Sequence, residues 1–142
     1  MRLLILFFIF LTFSFANNNS IGFIKVLNGS AEVIRDNKDI DLKIGDKIYS
    51  KDIIKTSYGS SIGIIFQDNT LVSLGSNTKY EIEEYFFNPE EKKESFVSSL
   101  KKGSLTCLTG LIPKLNKNAM KIKAKTASMG IRGTYFILSV DE

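Results

Sequence analysis

The chain has 142 residues, enough for one domain with a substantial core. It contains no histidine and one cysteine, Cys107, so no internal disulfide can form, and the commonest general base and metal ligand are absent. Ser-His and Cys-His nucleophiles are thereby excluded, and a formal net charge of +4 is too mild to imply nucleic acid.

The first element is an export signal. Met1-Arg2 is a short positive start, residues 3–13 are almost wholly apolar, and Ser14-Phe15-Ala16 supplies small residues before a cut after Ala16. As a helix, residues 3–16 would reach only about 21 Å, short of a hydrocarbon core of about 30 Å. The division is therefore 1–16 signal peptide and 17–142 one mature domain in the periplasm, with membrane contact only if the signal segment is retained.

After Asn19 the chain has the period of strands. Turn residues recur at Asn28-Gly29, Asp36-Asn37, Asp68-Asn69, Gly75-Ser76-Asn77 and Asn88-Pro89. Residues 36–41 form the densest acidic cluster, but they lack the glycine of a calcium loop and read as a solvated turn. Residues 60–67 alternate, with Ile62, Ile64 and Phe66 on one face, and Asp68-Asn69 then reverses the chain. Residues 77–87 predict an extended strand with Tyr80, Ile82 and Phe86 on one side and Glu81, Glu83 and Tyr85 on the other. Residues 88–94 read as a polar hairpin loop and 111–118 as a second exposed loop. Residues 105–108 read as a strand that buries Cys107 as a small apolar residue.

Residues 119–126 alternate most cleanly, Met120, Ile122 and Ala124 facing one way and Lys121, Lys123 and Lys125 the other. Six basic residues and no acid lie between positions 114 and 134. The lysines suit either an anionic partner or a solvent face with Glu81 and Glu83 opposite on neighbouring strands. Ser98-Ser99-Leu100-Lys101 matches an acyl-enzyme spacing, but in a strand serine and lysine point to opposite faces. No catalytic residue, metal site or cofactor is expected.

Residues 126–136, TASMGIRGTYF, set Arg132 between two glycines. With strands on either side, residues 128–133 predict a turn or bulge in which Gly130 and Gly133 permit positive φ or close backbone approach. An inward arginine fork there would have to be saturated by protein oxygens, and losing it would cost roughly 2–4 kcal/mol.

Two stretches resemble the FecR domain family of exported bacterial proteins. The first runs Leu42-Lys43-Ile44-Gly45-Asp46-Lys47-Ile48, then Asp52-Ile53-Ile54-Lys55-Thr56, Gly59-Ser60 and Phe66-Gln67-Asp68-Asn69-Thr70, leading to Leu74. The second is Thr126-Ala127 with Gly130-Ile131-Arg132-Gly133-Thr134-Tyr135-Phe136, similar to the family's closing signature. Asn69 stands where the family usually has glycine, and it tolerates the same left-handed backbone.

The resemblance implies an all-β domain of short antiparallel strands in a rolled or β-solenoid-like sheet. It assigns Gly45, Asp46, Asp52, Thr56, Asp68, Gly130, Arg132, Gly133, Thr134 and Phe136 to the structural motif. It further implies a periplasmic protein-interaction or signalling role with another envelope protein as partner. Relay to a sigma factor is not expected to carry over, since no cytoplasmic segment or receptor-facing domain is seen. The alternative is a binder of an anionic envelope glycan or small ligand through Lys121, Lys123 and Lys125.

Overall fold

The structure is a computed structural model that describes residues 19–133 and 135–141. Residues 1–16, expected from the sequence to be a signal peptide, lie outside those residues. Two strands open the chain, β1 (Gly22–Asn28) and β2 (Ala31–Arg35), followed by β3 (Lys38–Asp41), β4 (Lys47–Ile48) and β5 (Ile53–Thr56). Then come β6 (Ser61–Phe66), β7 (Leu71–Leu74), β8 (Lys79–Asn88) and the sixteen-residue β9 (Lys93–Leu108). A helical turn, α1 (Ile112–Leu115), precedes β10 (Met120–Ala124), β11 (Ala127–Ile131) and β12 (Tyr135–Val140).

One sheet runs β3-β2-β5-β8-β9-β7-β6-β1-β4 and curls into two layers, because β9 belongs to both. The first half of β9 pairs with β8 on one side and β10 on the other; its second half pairs with β7 and β12. β11 extends the first layer by pairing with β10. All ladders are antiparallel except β9–β10, which is parallel. The rolled all-β form expected from the sequence is thus the one observed.

Gly103 makes the corner in β9, with φ of +91°. A Cβ there would collide with Thr78, standing 2.6 Å from its Cα. Both the backbone sign and the space require glycine. Gly103→Ala is expected to destabilise by at least about 3 kcal/mol, read as a lower urea midpoint; an unchanged midpoint would show that the corner can relax.

The core fills the space between the layers. Ile62, Ile64 and Phe66 of β6 point inward as their alternation predicts, meeting Ile54, Tyr80 and Ile82. Phe66 stacks on Tyr85 at 5.5 Å and Tyr85 meets Phe96 edge-on at 5.0 Å, so aromatic rings tie the layers together.

Three local expectations are corrected. In β8 the register shifts between Ile82 and Glu84, so the strand's two faces exchange: Tyr85 is buried and Phe86 is exposed, the reverse of simple alternation. Residues 111–118 are not merely an exposed loop, because α1 buries Ile112 and Pro113. Residues 127–131 are strand rather than turn. The reversal occurs at Lys125-Thr126, between the paired Ala124 and Ala127.

Candidate functional site

Three residues of the family-like motif, Asp52, Thr56 and Asp68, prove to be interior fastenings. Asp68 is wholly buried. Its carboxylate accepts hydrogen bonds from the Thr70 hydroxyl (2.7 Å), the Thr70 amide (3.2 Å), the Tyr85 hydroxyl (3.0 Å) and the Ile112 amide (3.1 Å). Gly110 lies against this knot, and a Cβ on it would stand 2.6 Å from the Thr70 nitrogen. Burial and the neighbouring Asp68 carboxylate both push the Tyr85 phenol well above its ordinary range.

Asp52 is the second fastening. Arg35 grips it with two hydrogen bonds, Nε to Oδ1 at 2.8 Å and Nη2 to Oδ2 at 2.6 Å, while the Tyr49 amide donates to Oδ2 at 2.9 Å. The guanidinium also lies 4.5 Å from the centre of the Tyr49 ring. Arg35 thus has the saturated fork that the sequence suggested for Arg132. Thr56 and Asp46 do smaller versions of the same work. The Thr56 hydroxyl donates to the Gly75 carbonyl at 2.6 Å and accepts from the Thr78 amide at 2.9 Å. Asp46 accepts from the Lys43 amide at 2.8 Å across the turn where Gly45 adopts φ of +90°.

The closing motif departs from its expected role. Arg132 is exposed and has no hydrogen-bond or ion-pair partner among the described residues, so it is not the inward rivet. The physical reason is that β11 is the outermost strand of the first layer, with no further strand beside it to supply carbonyls. Gly133 does take a positive φ, +117°, but Gly130 neither does so nor packs closely against anything. Phe136 pairs with Cys107 across the β9–β12 ladder and packs on the core. Thr134 lies outside the described residues.

The lysine stripe is divided. Lys121 and Lys123 project from the exposed side of β10, but Lys125 has left the strand and adopts φ of +51° in the turn. The Lys123 ammonium is held by Glu83 at 2.8 Å. A concavity of about 860 Å³ elsewhere, bordered by Tyr49, Phe87, Lys92, Glu94 and Asn116, contains none of the three lysines. Ser98 is buried in the β9 ladder beneath the Tyr80 hydroxyl, away from the exposed Lys101.

Cys107 is buried as expected, and desolvation, with a smaller push from Asp68, raises its thiol from 9.0 to about 12. Native protein is therefore expected to resist iodoacetamide at pH 8 and to react once unfolded. The sign for stability follows. A raised native value favours folding below the ordinary thiol value, and this is lost as pH climbs from about 9 towards 12. The raised phenols of Tyr80 and Tyr85 act in the same direction. Rapid native alkylation would contradict the sealed setting.

The outer faces of the two layers differ in chemistry, a contrast the sequence reading missed. The first layer is charged and carries three ion pairs, Lys55–Glu32 at 3.4 Å, Lys101–Glu81 at 3.7 Å and Lys123–Glu83 at 2.8 Å. On the second layer, five residues line up across five strands through successive pairings: Phe23, Ile65, Leu71, Leu108 and Tyr135. Phe23 is 47% exposed and Leu108 49%, and nearby Ile137 is 66% exposed. A solvent face does not require such residues, and a contiguous apolar strip of this kind marks a contact surface. The available signal was the unbroken apolar run in Ile64-Ile65-Phe66 and Tyr135-Phe136-Ile137-Leu138, which leaves no polar side to the strand.

A sealed interior and an open apolar face belong to one small all-β domain. The family model described as FecR protein matches residues 52–142, and the chain belongs to the FecR family. That family is a signalling and regulatory one associated with the cell envelope. No curated protein and no solved structure matches the chain. The match begins at Asp52, yet β1, β2, β3 and β4 lie before it and complete both layers. Among the described residues no helix is long and apolar enough to cross a membrane.

Proposed function

We propose that this chain is an exported, periplasmic, non-catalytic interaction module that works through the outer face of its second layer. One observation carries the reading: on the first layer's outer face three lysines are paired with glutamates, whereas the second leaves a row of large apolar side chains open. Membership of an envelope signalling family supports the same assignment. The buried polar groups support it too, since Asp68, Asp52, Thr56 and Ser98 are each engaged within the fold. The lysine-rich face is the weaker candidate, because Lys123 is occupied by Glu83 and Lys125 has turned away from the strand.

The test is site-specific photo-crosslinking in intact cells. A photoreactive side chain at Leu108 or Phe23 is expected to trap a defined protein adduct, and one at Lys55 or Lys101 is not. Equal yields from both faces, or none from Leu108 and Phe23, would overturn the reading. Periplasmic location is tested by protease digestion after outer-membrane permeabilisation, where protection would contradict it.

A further inference from the structure

The apolar row has a neighbour that gives it a shape. Two residues further along β6, β7, β9 and β12, and three along the irregular β1, lies a second row, Val26, Gly63, Ser73, Thr106 and Ile137, also joined by successive pairings. Its three middle members are small, so Gly63, Ser73 and Thr106 form a trough beside the ridge of Ile65, Leu71 and Leu108. Val26 and Ile137 close the two ends. A Cβ on Gly63 would make ordinary van der Waals contact with Val26, at 3.4 Å, so the glycine keeps that position low without being forced by a clash.

This pattern is its own complement. A twofold axis lying in the interface, parallel to the rows and midway between them, carries the ridge of one copy onto the trough of the other. Position along the row is unchanged, so Ile65 seats over Gly63 of the second copy, Leu71 over Ser73 and Leu108 over Thr106. Phe23 and Tyr135 meet Val26 and Ile137 at the ends. The two sheets then pack with strands aligned, about 10 Å apart, as in ordinary sheet-on-sheet packing. From this geometry we infer that the occupant of the face is a second copy of this chain, in an isologous dimer. The inference rests on the interaction reading of that face.

Charge and area favour the same occupant. Neither row contains an ionisable side chain other than the tyrosine, so the rows themselves bring no like charges together. Lys25 is exposed between Phe23 and Val26 at the β1 end of the rows, from which its long side chain can turn outward to solvent. With roughly 150–250 Å² for each aromatic side chain and somewhat less for the aliphatic ones, the observed exposures leave on the order of 500 Å² of apolar surface per copy. A stable interface buries ~800 Å² per partner, so the apolar side chains alone supply more than half of it. The ion-paired outer face of the first layer offers no comparable ridge.

Sedimentation equilibrium on the purified protein tests the dimer. The protein is expected to be dimeric at micromolar concentration, with Leu108→Glu weakening association by at least about 100-fold because symmetry counts the change twice. Ser73→Glu, at an exposed trough position, should do the same if Leu108→Glu fails to fold by circular dichroism. The seating is tested by mixing Leu71→Cys with Ser73→Cys protein: a covalent dimer is expected in the mixture well above either variant alone. A monomer up to about 100 µM overturns the inference. So does a dimer indifferent to both glutamates, or one without the 71–73 crosslink. A monomer whose Leu108 probe traps a different envelope protein also overturns the second copy as occupant, while leaving the proposed interaction role standing.

Discussion

Asp68→Ala is expected to destabilise the domain by roughly 3–5 kcal/mol, because it strands several buried donors at once. The Tyr85 hydroxyl, the Ile112 amide and the Thr70 hydroxyl and amide all converge on that carboxylate, and water cannot reach the gap. Each orphaned donor costs about 1–3 kcal/mol, reduced wherever the knot can rearrange. The Thr70 hydroxyl also accepts from the Gly110 amide at 3.0 Å, so the loss spreads to the segment that leads into α1. Asp68→Asn keeps the volume but places an amide N–H among donors, and should cost somewhat less than alanine. Tyr85→Phe removes the acceptor of the Asp68 amide at 3.0 Å and should cost about 1–2 kcal/mol. Urea unfolding measures all three. A loss under about 1 kcal/mol for Asp68→Ala would mean that the knot is dispensable.

The uneven legibility of this fold in its sequence has a physical cause. Local patterns survived: Ile62, Ile64 and Phe66 turned inward, the reversal at Asp68-Asn69 formed with Asn69 at φ of +68°, and Met120 and Ile122 buried themselves while Lys121 and Lys123 did not. What failed was whatever depends on partners distant in the chain. The irregularity in β8 sits between aromatic residues that suit either face, so alternation could not place Tyr85 against Phe86. The second-layer face exists only because four ladders bring Phe23, Ile65, Leu71, Leu108 and Tyr135 abreast, a register no single strand encodes. The arginine is the sharpest case. Arg35 only borders what reads as a polar turn, and it went unremarked, although Ala31, Val33 and Arg35 share one side of β2 by simple alternation. An arginine in line with two core residues needs a carboxylate, and Asp52 supplies it from seventeen residues away.

Exchanging the two arginines in turn separates a fastening from a surface charge. Arg35→Ala leaves Asp52, only 1% exposed, as a buried carboxylate that retains the Tyr49 amide but loses its counter-ion. Breaking such a pair costs about 3–5 kcal/mol, and the lower end applies because the Arg35 side chain is itself 27% exposed and partly screened. Arg35→Lys keeps the charge but not the planar two-point grip, and should recover only part of that loss. Arg132→Ala, by contrast, removes an exposed side chain without a partner among the described residues, and should shift stability by no more than about 0.5 kcal/mol. Thermal or urea unfolding of the three variants side by side gives the ordering. Were Arg132→Ala the more damaging substitution, the rivet would belong to the closing motif after all. A small loss for Arg35→Ala would then mean that the Asp52 carboxylate is rehydrated once its counter-ion is gone.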